Sequence, residues 1–501
     1  MNLSTLQTLS KSGSFSHLTS VRPKIDEERT QVQAILKSSK EKLIYGIHTG
    51  FGPHAFTSNE DVVKIQKSLI YHLTVEPVFS KDGIPHSHLN HKEARAVLAA
   101  RIHCLSLGGS GIRFETLELL NALLELDCIP VLPERGSLSA SGDLIPLSYL
   151  PLALLGESGF TGLGKDLGPS RWNGGKSKIP GFPWSPEAKE AISLTNGTSF
   201  TTALLGLQVL EFRNLLSYSV ELLQYLFSFH SVFADAFHPA YHNHKQFDGP
   251  KKIVRILYPT VSQNSKEKQE GSRIQDIYSI RCIPQILGSL LDEIVSVGET
   301  VERELNSLSD NPVLIQSEDG LRFAEGGGFY AAQVSFAADR LQNAMAVWFT
   351  WVDRFLNYLF EPKENGEFPL MLSEKPGTYA GLSGLGLMST HLTAEVRRDS
   401  MPGSVQSIPT NGNNQDIVPM GAISVLRNRR TVASGYKLLS ILAFTIYQSS
   451  RFAKRKDLVP NLDLFLGIET MAEDRSLDFE IQTLMERLSN STSSLVKIPI
   501  D

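Results

Sequence analysis

Ala140-Ser141-Gly142 brings a carbonyl carbon, a hydroxymethyl side chain and a backbone nitrogen together within three residues. Attack of the Gly142 nitrogen on the Ala140 carbonyl carbon would close a five-membered ring. Loss of water from the ring and from the serine side chain would leave 4-methylideneimidazol-5-one, a strong electrophile made from backbone. The letters alone do not establish this chemistry. At average residue usage a chain of this length holds the triplet about 0.2 times, yet it occurs a second time at Ala433-Ser434-Gly435. Ring closure needs the two atoms pressed together, and a helix both separates them and engages them in its hydrogen-bond ladder. The second copy sits among Val432, Leu438, Leu439 and Leu442, an apolar helical pattern in which glycine serves close packing. The first sits in Gly136-Ser-Leu-Ser-Ala-Ser-Gly-Asp-Leu-Ile-Pro-Leu147, where Gly and Ser disfavour helix and Pro151 follows closely. A compressed turn is expected there, the kind of backbone strain that gathers at functional sites.

The elements that must hold this turn read mostly as helix. Residues 90–107 open with Asn90 as N-cap and Glu93 three positions later, followed by Ala94, Val97, Leu98, Ile102 and Leu105 at helical spacing. Residues 284–308 carry one continuous stripe of Leu287, Leu290, Leu291, Ile294, Val297, Val301, Leu305 and Leu308, starting at Pro284 and stopping at Ser309-Asp310-Asn311-Pro312. Residues 198–230 and 329–361 are apolar on more than one face and belong inside a bundle. The Gly- and Pro-rich stretch 156–188 predicts a loop or short hairpin excursion. The fold class expected is mainly α, with an N-terminal region (residues 1–200) carrying the special loop, and a central helical bundle with C-terminal helices (residues 201–501).

Composition narrows the partners. The chain of 501 residues is 41% hydrophobic and 20% charged with a net charge of −5, which is ordinary for a globular protein and gives no basic surplus for nucleic acid or an anionic membrane. No uncharged run reaches the length of a membrane span, and the N-terminus lacks the basic-then-apolar pattern of a signal peptide. Cys104, Cys128 and Cys282 are widely spaced, with no Cys-x-x-Cys, so reduced, buried thiols in a cytoplasmic protein are expected. His86, His88 and His91, and His238, His242 and His244, have spacings that invite a metal reading. Neither group has a nearby cysteine or a carboxylate in a firm helical motif, so no metal is expected.

Five segments in order resemble the aromatic amino acid and histidine ammonia-lyases. Gly136 to Leu147 is similar to the signature from which that family forms its methylideneimidazolone. Tyr45-Gly-Ile-His-Thr-Gly-Phe-Gly52 resembles the catalytic-tyrosine loop, and Leu194-Thr-Asn-Gly-Thr198 the asparagine segment beside the prosthetic group. Gln275-Asp-Ile-Tyr-Ser-Ile-Arg-Cys-Ile-Pro-Gln285 resembles the second-tyrosine and arginine segment, and Asn411-Gly-Asn-Asn-Gln-Asp416 the substrate-pocket segment. The match runs over roughly residues 40–425. It implies an ammonia-lyase-like fold, a prosthetic group formed from Ala140, Ser141 and Gly142, no metal or external cofactor, and a homotetramer with shared active sites.

The resemblance also implies roles. The substrate amine adds to the carbon derived from Ser141, making nitrogen part of a better leaving group. Tyr45 removes the β-proton, for which its phenol, ordinarily near pKa 10, must be lowered by donors or positive charge. Arg281 takes the substrate carboxylate through its two-pronged guanidinium. Tyr278, three residues earlier, brings a hydroxyl close to the ring, and Asn196 steadies its oxyanion. Gln275, Phe329, Asn411, Asn414 and Gln415 complete the pocket.

Side-chain choice is expected at His72-Leu73 in Ile65-Gln-Lys-Ser-Leu-Ile-Tyr-His-Leu73. His-Leu is the pattern of tyrosine-acting members, Phe-Leu of phenylalanine-acting ones and Ser-His of many histidine-acting ones. An imidazole can hydrogen-bond a phenol, and a site built for a hydroxyl rejects the analogue without it. Gln415 stands where histidine-acting members usually carry Glu. The expected reaction is L-tyrosine to trans-4-coumarate and ammonia. Phenylalanine or histidine ammonia-lyase, a tyrosine or phenylalanine 2,3-aminomutase, and an inactive helical scaffold are the alternatives. Departures from the family pattern lie at His48, Thr74 to Pro77, Gly327 to Tyr330 and Ala380 to Ser383.

Overall fold

The computed structural model describes residues 1–38, 43–57, 61–78, 86–161, 182–270, 273–318 and 320–493. In chain order come α1 (Leu3–Lys11), α2 (Arg22–Ser38), α3 (Val62–Leu73), α4 (His91–Ser106), α5 (Phe114–Glu125), β1 (Ile129–Pro130), α6 (Leu144–Leu154), β2 (Phe160–Thr161), α7 (Glu190–Thr195) and α8 (Ser199–Phe229). There follow α9 (Pro239–His242), α10 (Asp248–Gln263), α11 (Tyr278–Arg281), α12 (Ile283–Leu305), β3 (Val313–Ser317), β4 (Gly320–Ala324), α13 (Ala332–Phe360), α14 (Pro362–Asn365), α15 (Ser383–Arg398), α16 (Gly421–Ser450) and α17 (Asp478–Asn490). The protein is mainly α, as its periodicities predict. Among the described residues the strands form two antiparallel pairs, β1 with β2 and β3 with β4.

The helices begin where the chemistry of their caps allows. At α4 the Asn90 side chain accepts the Glu93 N–H at 2.9 Å, and the Glu93 carboxylate accepts the Asn90 N–H at 3.0 Å. Two orphan donors of the first turn are thereby satisfied. The predicted stripe of α4 is buried in full, and so are its flanks: Glu93 to Ile102 are all buried. The helix is therefore interior rather than amphipathic, with α1 and α5 packed on it. On α12 every stripe residue from Leu287 to Leu305 is buried, each such leucine worth about 1.5–3 kcal/mol. The second tripeptide lies inside α16, where a Cβ on Gly435 would come within 2.7 Å of Leu215. Gly435 is there for close packing, and its helical hydrogen bonds hold the ring-forming atoms apart.

The chain divides into two compact units, each discontinuous in sequence. Unit 1 comprises Met1–Leu207, Gly298–Asp339 and Pro402–Leu426, and unit 2 comprises Gln208–Val297, Arg340–Met401 and Arg427–Asp501. Helices α8, α12, α13 and α16 each contribute residues to both units. Of the stretch 156–188, β2 pairs with β1 as a short hairpin excursion would, while residues 162–181 lie outside the described residues. Cys104, Cys128 and Cys282 form no disulfide; the first is buried and the others are half-buried. No described helix is long and apolar enough to cross a membrane.

Candidate functional site

Unit 1 carries a cleft of about 1160 Å³, somewhat above the usual range for small-molecule sites. Of the residues singled out by sequence, Tyr45, His72, Leu73, Ala140, Ser141, Gly142, Asn196, Phe329, Asn411, Asn414 and Gln415 line it. These come from six separate stretches of chain.

The tripeptide occupies a turn, as its flanks require. Gly136, Ser139 and Gly142 have φ of +106°, +58° and +69°. A Cβ on Gly142 would collide with the backbone of Gly197, so only glycine lets the turn lie against that segment. The Asp143 N–H donates to the Gly197 carbonyl at 2.7 Å. The Asn196 Nδ2 donates to the Ser141 carbonyl at 2.8 Å, and the Gln415 Nε2 to the Ser141 Oγ at 2.6 Å. The Asn196 Oδ1 is buried with no hydrogen-bond partner.

Beneath the turn lies Asp143, for which the sequence had suggested no role although it adjoins the triplet. It is fully buried. Its carboxylate accepts from the Thr201 N–H at 2.9 Å, the Thr201 hydroxyl at 2.6 Å, the Ser137 hydroxyl at 2.7 Å and the Ser139 hydroxyl at 3.2 Å. Burial pushes its pKa up, and these donors oppose that. Because Thr201 is in the first turn of α8, the helix dipole also favours the charge. Ser139 in turn accepts from the Ala422 N–H at 2.8 Å, tying the turn to the start of α16.

Tyr45 sits above a loop pinned by Gln66 of α3, whose amide donates to the Gly46 carbonyl at 2.8 Å and accepts from the Ala191 N–H at 3.0 Å. The Gly52 N–H donates to the Tyr45 hydroxyl at 3.1 Å. The lowered phenol pKa that the chemistry asks for is not what this environment gives. Burial raises the Tyr45 pKa, the Gly52 donor opposes this, and the nearby Glu325 charge raises it further. Burial is the main cause, and Glu325, a carboxylate that also lines the cleft, adds to it; no motif in the sequence points to either.

Lys64, Ser68 and His72 follow one another at i, i+4 and i+8 on α3, and all three line the cleft. The His72 Nδ1 lies 2.9 Å from the Ser68 carbonyl oxygen. A carbonyl only accepts, so Nδ1 carries the hydrogen, and in the neutral ring Nε2 is left as an acceptor. The loop of Asn411 to Gln415 closes on the tyrosine loop. A Cβ on Gly52 would come within 3.1 Å of the Asn411 Oδ1, and the Thr410 N–H donates to the Gln415 carbonyl at 3.0 Å.

The histidine groups have protein partners. His91 Nε2 is 2.9 Å from Asp127 Oδ1, His88 Nδ1 2.8 Å from the Leu89 carbonyl, and His242 Nε2 2.9 Å from the Ala236 carbonyl. Among the described residues no cluster of three His, Cys, Asp or Glu could hold a metal ion.

Residues 2–469 match the family model described as aromatic amino acid lyase. The chain belongs to that family. This lyase is 30% identical over 477 residues to a histidine ammonia-lyase of Bacillus velezensis, covering 94% of this chain and 90% of that one. It is 32% identical over 437 residues to a tyrosine ammonia-lyase of Cupriavidus metallidurans, covering 82% and 79%. In fold it is similar to the solved phenylalanine aminomutase of Pantoea agglomerans, with a TM-score of 0.86, 24% identity, and 98% and 97% of the two chains covered. The expected ammonia-lyase fold is therefore found, and the protein is an ammonia-lyase, a carbon–nitrogen lyase.

Three of the residues singled out by sequence do not line the cleft of this lyase. Gln275, Tyr278 and Arg281 belong to unit 2. There the Arg281 guanidinium donates to Gln275 Oε1 and stacks over the Tyr278 ring, 4.8 Å from its centroid. Tyr278 is 69% exposed, an unusual state for so large an aromatic ring.

Asp339 holds the last segment of unit 1 in place. Its carboxylate accepts from the N–H groups of Gly403 and Ser404, both at 3.0 Å, and from the Ser424 hydroxyl at 2.7 Å. Burial alone would raise its pKa; the bonds from Ser404, Ser424 and Gly403 outweigh burial and hold it below the ordinary value. A lowered carboxylate pKa contributes stability above the unfolded value and loses it as pH falls through the folded one. Asp339→Asn should therefore lower stability by about 2 kcal/mol near neutral pH. The gap between the thermal midpoints of variant and parent should shrink as the pH drops below about 4.

Proposed function

We propose that this ammonia-lyase converts L-tyrosine to trans-4-coumarate and ammonia, using a 4-methylideneimidazol-5-one formed from Ala140-Ser141-Gly142. The observation that carries the substrate is the His72 ring. With Nδ1 committed to the Ser68 carbonyl, a neutral ring leaves Nε2 as an acceptor on a residue that lines the cleft, matched to the O–H of a phenol. A phenylalanine ring offers no such donor. The neutral Gln415, engaged with Ser141, adds no negative charge for an imidazole substrate.

The ring, once formed, supplies an electrophilic carbon that makes nitrogen a better leaving group. The surroundings of the turn suit such a group: the compressed backbone at Gly142, the Asn196 Nδ2 on the Ser141 carbonyl, and the unpartnered Asn196 Oδ1. Asn196 would hold the ring oxygen through charge development. Tyr45 would take the β-proton at its hydroxyl oxygen, while Phe329 and Leu73 exclude water from the aromatic side. Asn411 and Asn414 would close the cleft over the substrate.

Arg281 would bind the substrate carboxylate, and Tyr278 would bring its hydroxyl near the ring. The exposure of Tyr278 on unit 2, and the absence of both residues from those lining the cleft, support a homotetramer in which one copy completes the site of another. Light scattering that gave a single chain in active preparations would contradict this part of the proposal.

A histidine substrate is the second reading, favoured by the identity to the Bacillus velezensis histidine ammonia-lyase. A panel of tyrosine, phenylalanine, histidine and 3,4-dihydroxyphenylalanine, with products separated by chromatography, decides. The proposal expects tyrosine to have the highest kcat/KM and 4-coumarate to be the product. Urocanate as the main product would establish histidine, and a β-amino acid an aminomutase. His72→Phe should move the ratio of kcat/KM for tyrosine over phenylalanine toward phenylalanine by about 10²-fold or more.

A further inference from the structure

Arg101 is a fully buried guanidinium on a face of α4 that is otherwise apolar. It continues the spacing of Ala94, Val97 and Leu98, where a leucine or methionine would pack without the cost of burying a charge. Its partners are not carboxylates. Nη1 donates to the Ser309 carbonyl at 3.2 Å and lies 3.8 Å from the Cys104 sulfur. Nη2 donates to the Asn196 carbonyl at 2.8 Å and to the Ser193 carbonyl. Beside it the buried Lys189 pairs with the buried Asp310 at 2.8 Å, so that pair offers Arg101 no spare charge.

The carbonyls that Arg101 gathers come from the end of α7 and from the loop after α12. Those at the end of α7 are among the orphan acceptors that a helix leaves there. A Cβ on Gly197 would collide with Nη1, so the guanidinium lies directly against the Asn196-Gly197 backbone. On its other side the same two residues meet the tripeptide. Asn196 donates to the Ser141 carbonyl, the Gly197 carbonyl accepts the Asp143 N–H, and Gly142 has no room for a Cβ against Gly197. One peptide segment thus separates the guanidinium from the turn.

We propose that Arg101 is a positioning residue for the Ala140-Ser141-Gly142 turn, fixing the Asn196-Gly197 backbone against which the turn is compressed and so setting whether the ring closes. The inference rests on the ring-forming reading above. In that closure a bond forms between the Gly142 nitrogen and the Ala140 carbon. The Ala140 oxygen leaves as water with the amide hydrogens of Gly142 and Ser141. The Ser141 hydroxyl leaves with its Cα hydrogen as a second water. No oxidant or reductant is needed. Arg101 touches none of these atoms; it holds the anvil.

The test is the intact mass of purified wild type, Arg101→Lys and Arg101→Met, with circular dichroism selecting folded material. The lysine variant keeps the charge but loses the fork that reaches several carbonyls. Wild type should be two waters lighter than its translated sequence. The folded methionine variant should contain less of the lighter species by about tenfold or more, with the lysine variant between them, since a displacement of about 1 Å at such a site costs on the order of 10²-fold. A merely structural arginine would alter thermal stability and leave the mass ratio alone. If the methionine variant does not fold, the lysine variant carries the test with the same two outcomes. Variants as fully dehydrated as wild type would overturn the role of Arg101 while leaving the ring reading intact. A wild type at its full translated mass would overturn the ring reading, and the role of Arg101 with it.

Discussion

Ser141→Ala should lose turnover by about 10³-fold or more while the helical fold is kept. The size of the effect follows from what is removed. The methylidene carbon of the proposed ring is the Ser141 Cβ, so alanine deletes the electrophile itself rather than a neighbour that tunes it. The fold should survive because the turn is held by other groups: Asp143 with its donors from Ser137, Ser139 and Thr201, and the Asp143 N–H on the Gly197 carbonyl. Among the described residues, the one side-chain bond that the substitution breaks directly is that from Gln415 Nε2. Circular dichroism and thermal melting should therefore match the parent closely, and 4-coumarate formation should fall to background. Ser434→Ala is the matched control. It lies inside α16, and its activity should stay within about twofold of the parent, as for a substitution outside any special feature. Full activity in the first variant, or inactivation with intact folding in the second, would mean that the wrong serine has been assigned.

Tyr45→Phe should lower kcat by about 10²–10⁴-fold, the usual contribution of a general base. The loss should appear with little change in overall stability, because among the described residues the hydroxyl has one partner, the Gly52 N–H. The pH dependence of the parent carries the sharper information. A base works deprotonated, and burial together with the Glu325 charge raises the Tyr45 pKa. Activity must then climb as pH rises, with kcat/KM still increasing through the alkaline range, since that ratio reports the free enzyme. Glu325→Gln removes one of the raising influences, so its rising limb should shift to lower pH. A rate profile that falls with pH over the alkaline range, or that is unmoved in Tyr45→Phe, would remove Tyr45 from the role of base.

Much of the fold can be read from local pattern. The Asn90–Glu93 cap and the stripe from Leu287 to Leu305 use short-range rules, and short-range rules survive in the folded protein. The choice between the two tripeptides was legible for the same reason, since Gly136 and the serines on one side and Leu438, Leu439 and Leu442 on the other act on the local backbone. Contacts across the chain were not legible. Glu325 lies 280 residues from Tyr45 along the chain, and no periodicity links them. Arg101 did leave a trace, a charge on a buried stripe, but the pattern alone cannot say which carbonyls it gathers. Gln275, Tyr278 and Arg281 were visible by resemblance, whereas their placement on unit 2, away from the residues that line the cleft, depends on how the chain divides into units rather than on any motif.

The most direct test of the central claim is peptide mapping of the purified wild-type chain by mass spectrometry. The account predicts that the peptide carrying Gly136 to Leu147 is two waters lighter than its sequence, and that the peptide carrying Ala433-Ser434-Gly435 has its unmodified mass. A Gly136–Leu147 peptide at its full translated mass in active enzyme would contradict the account.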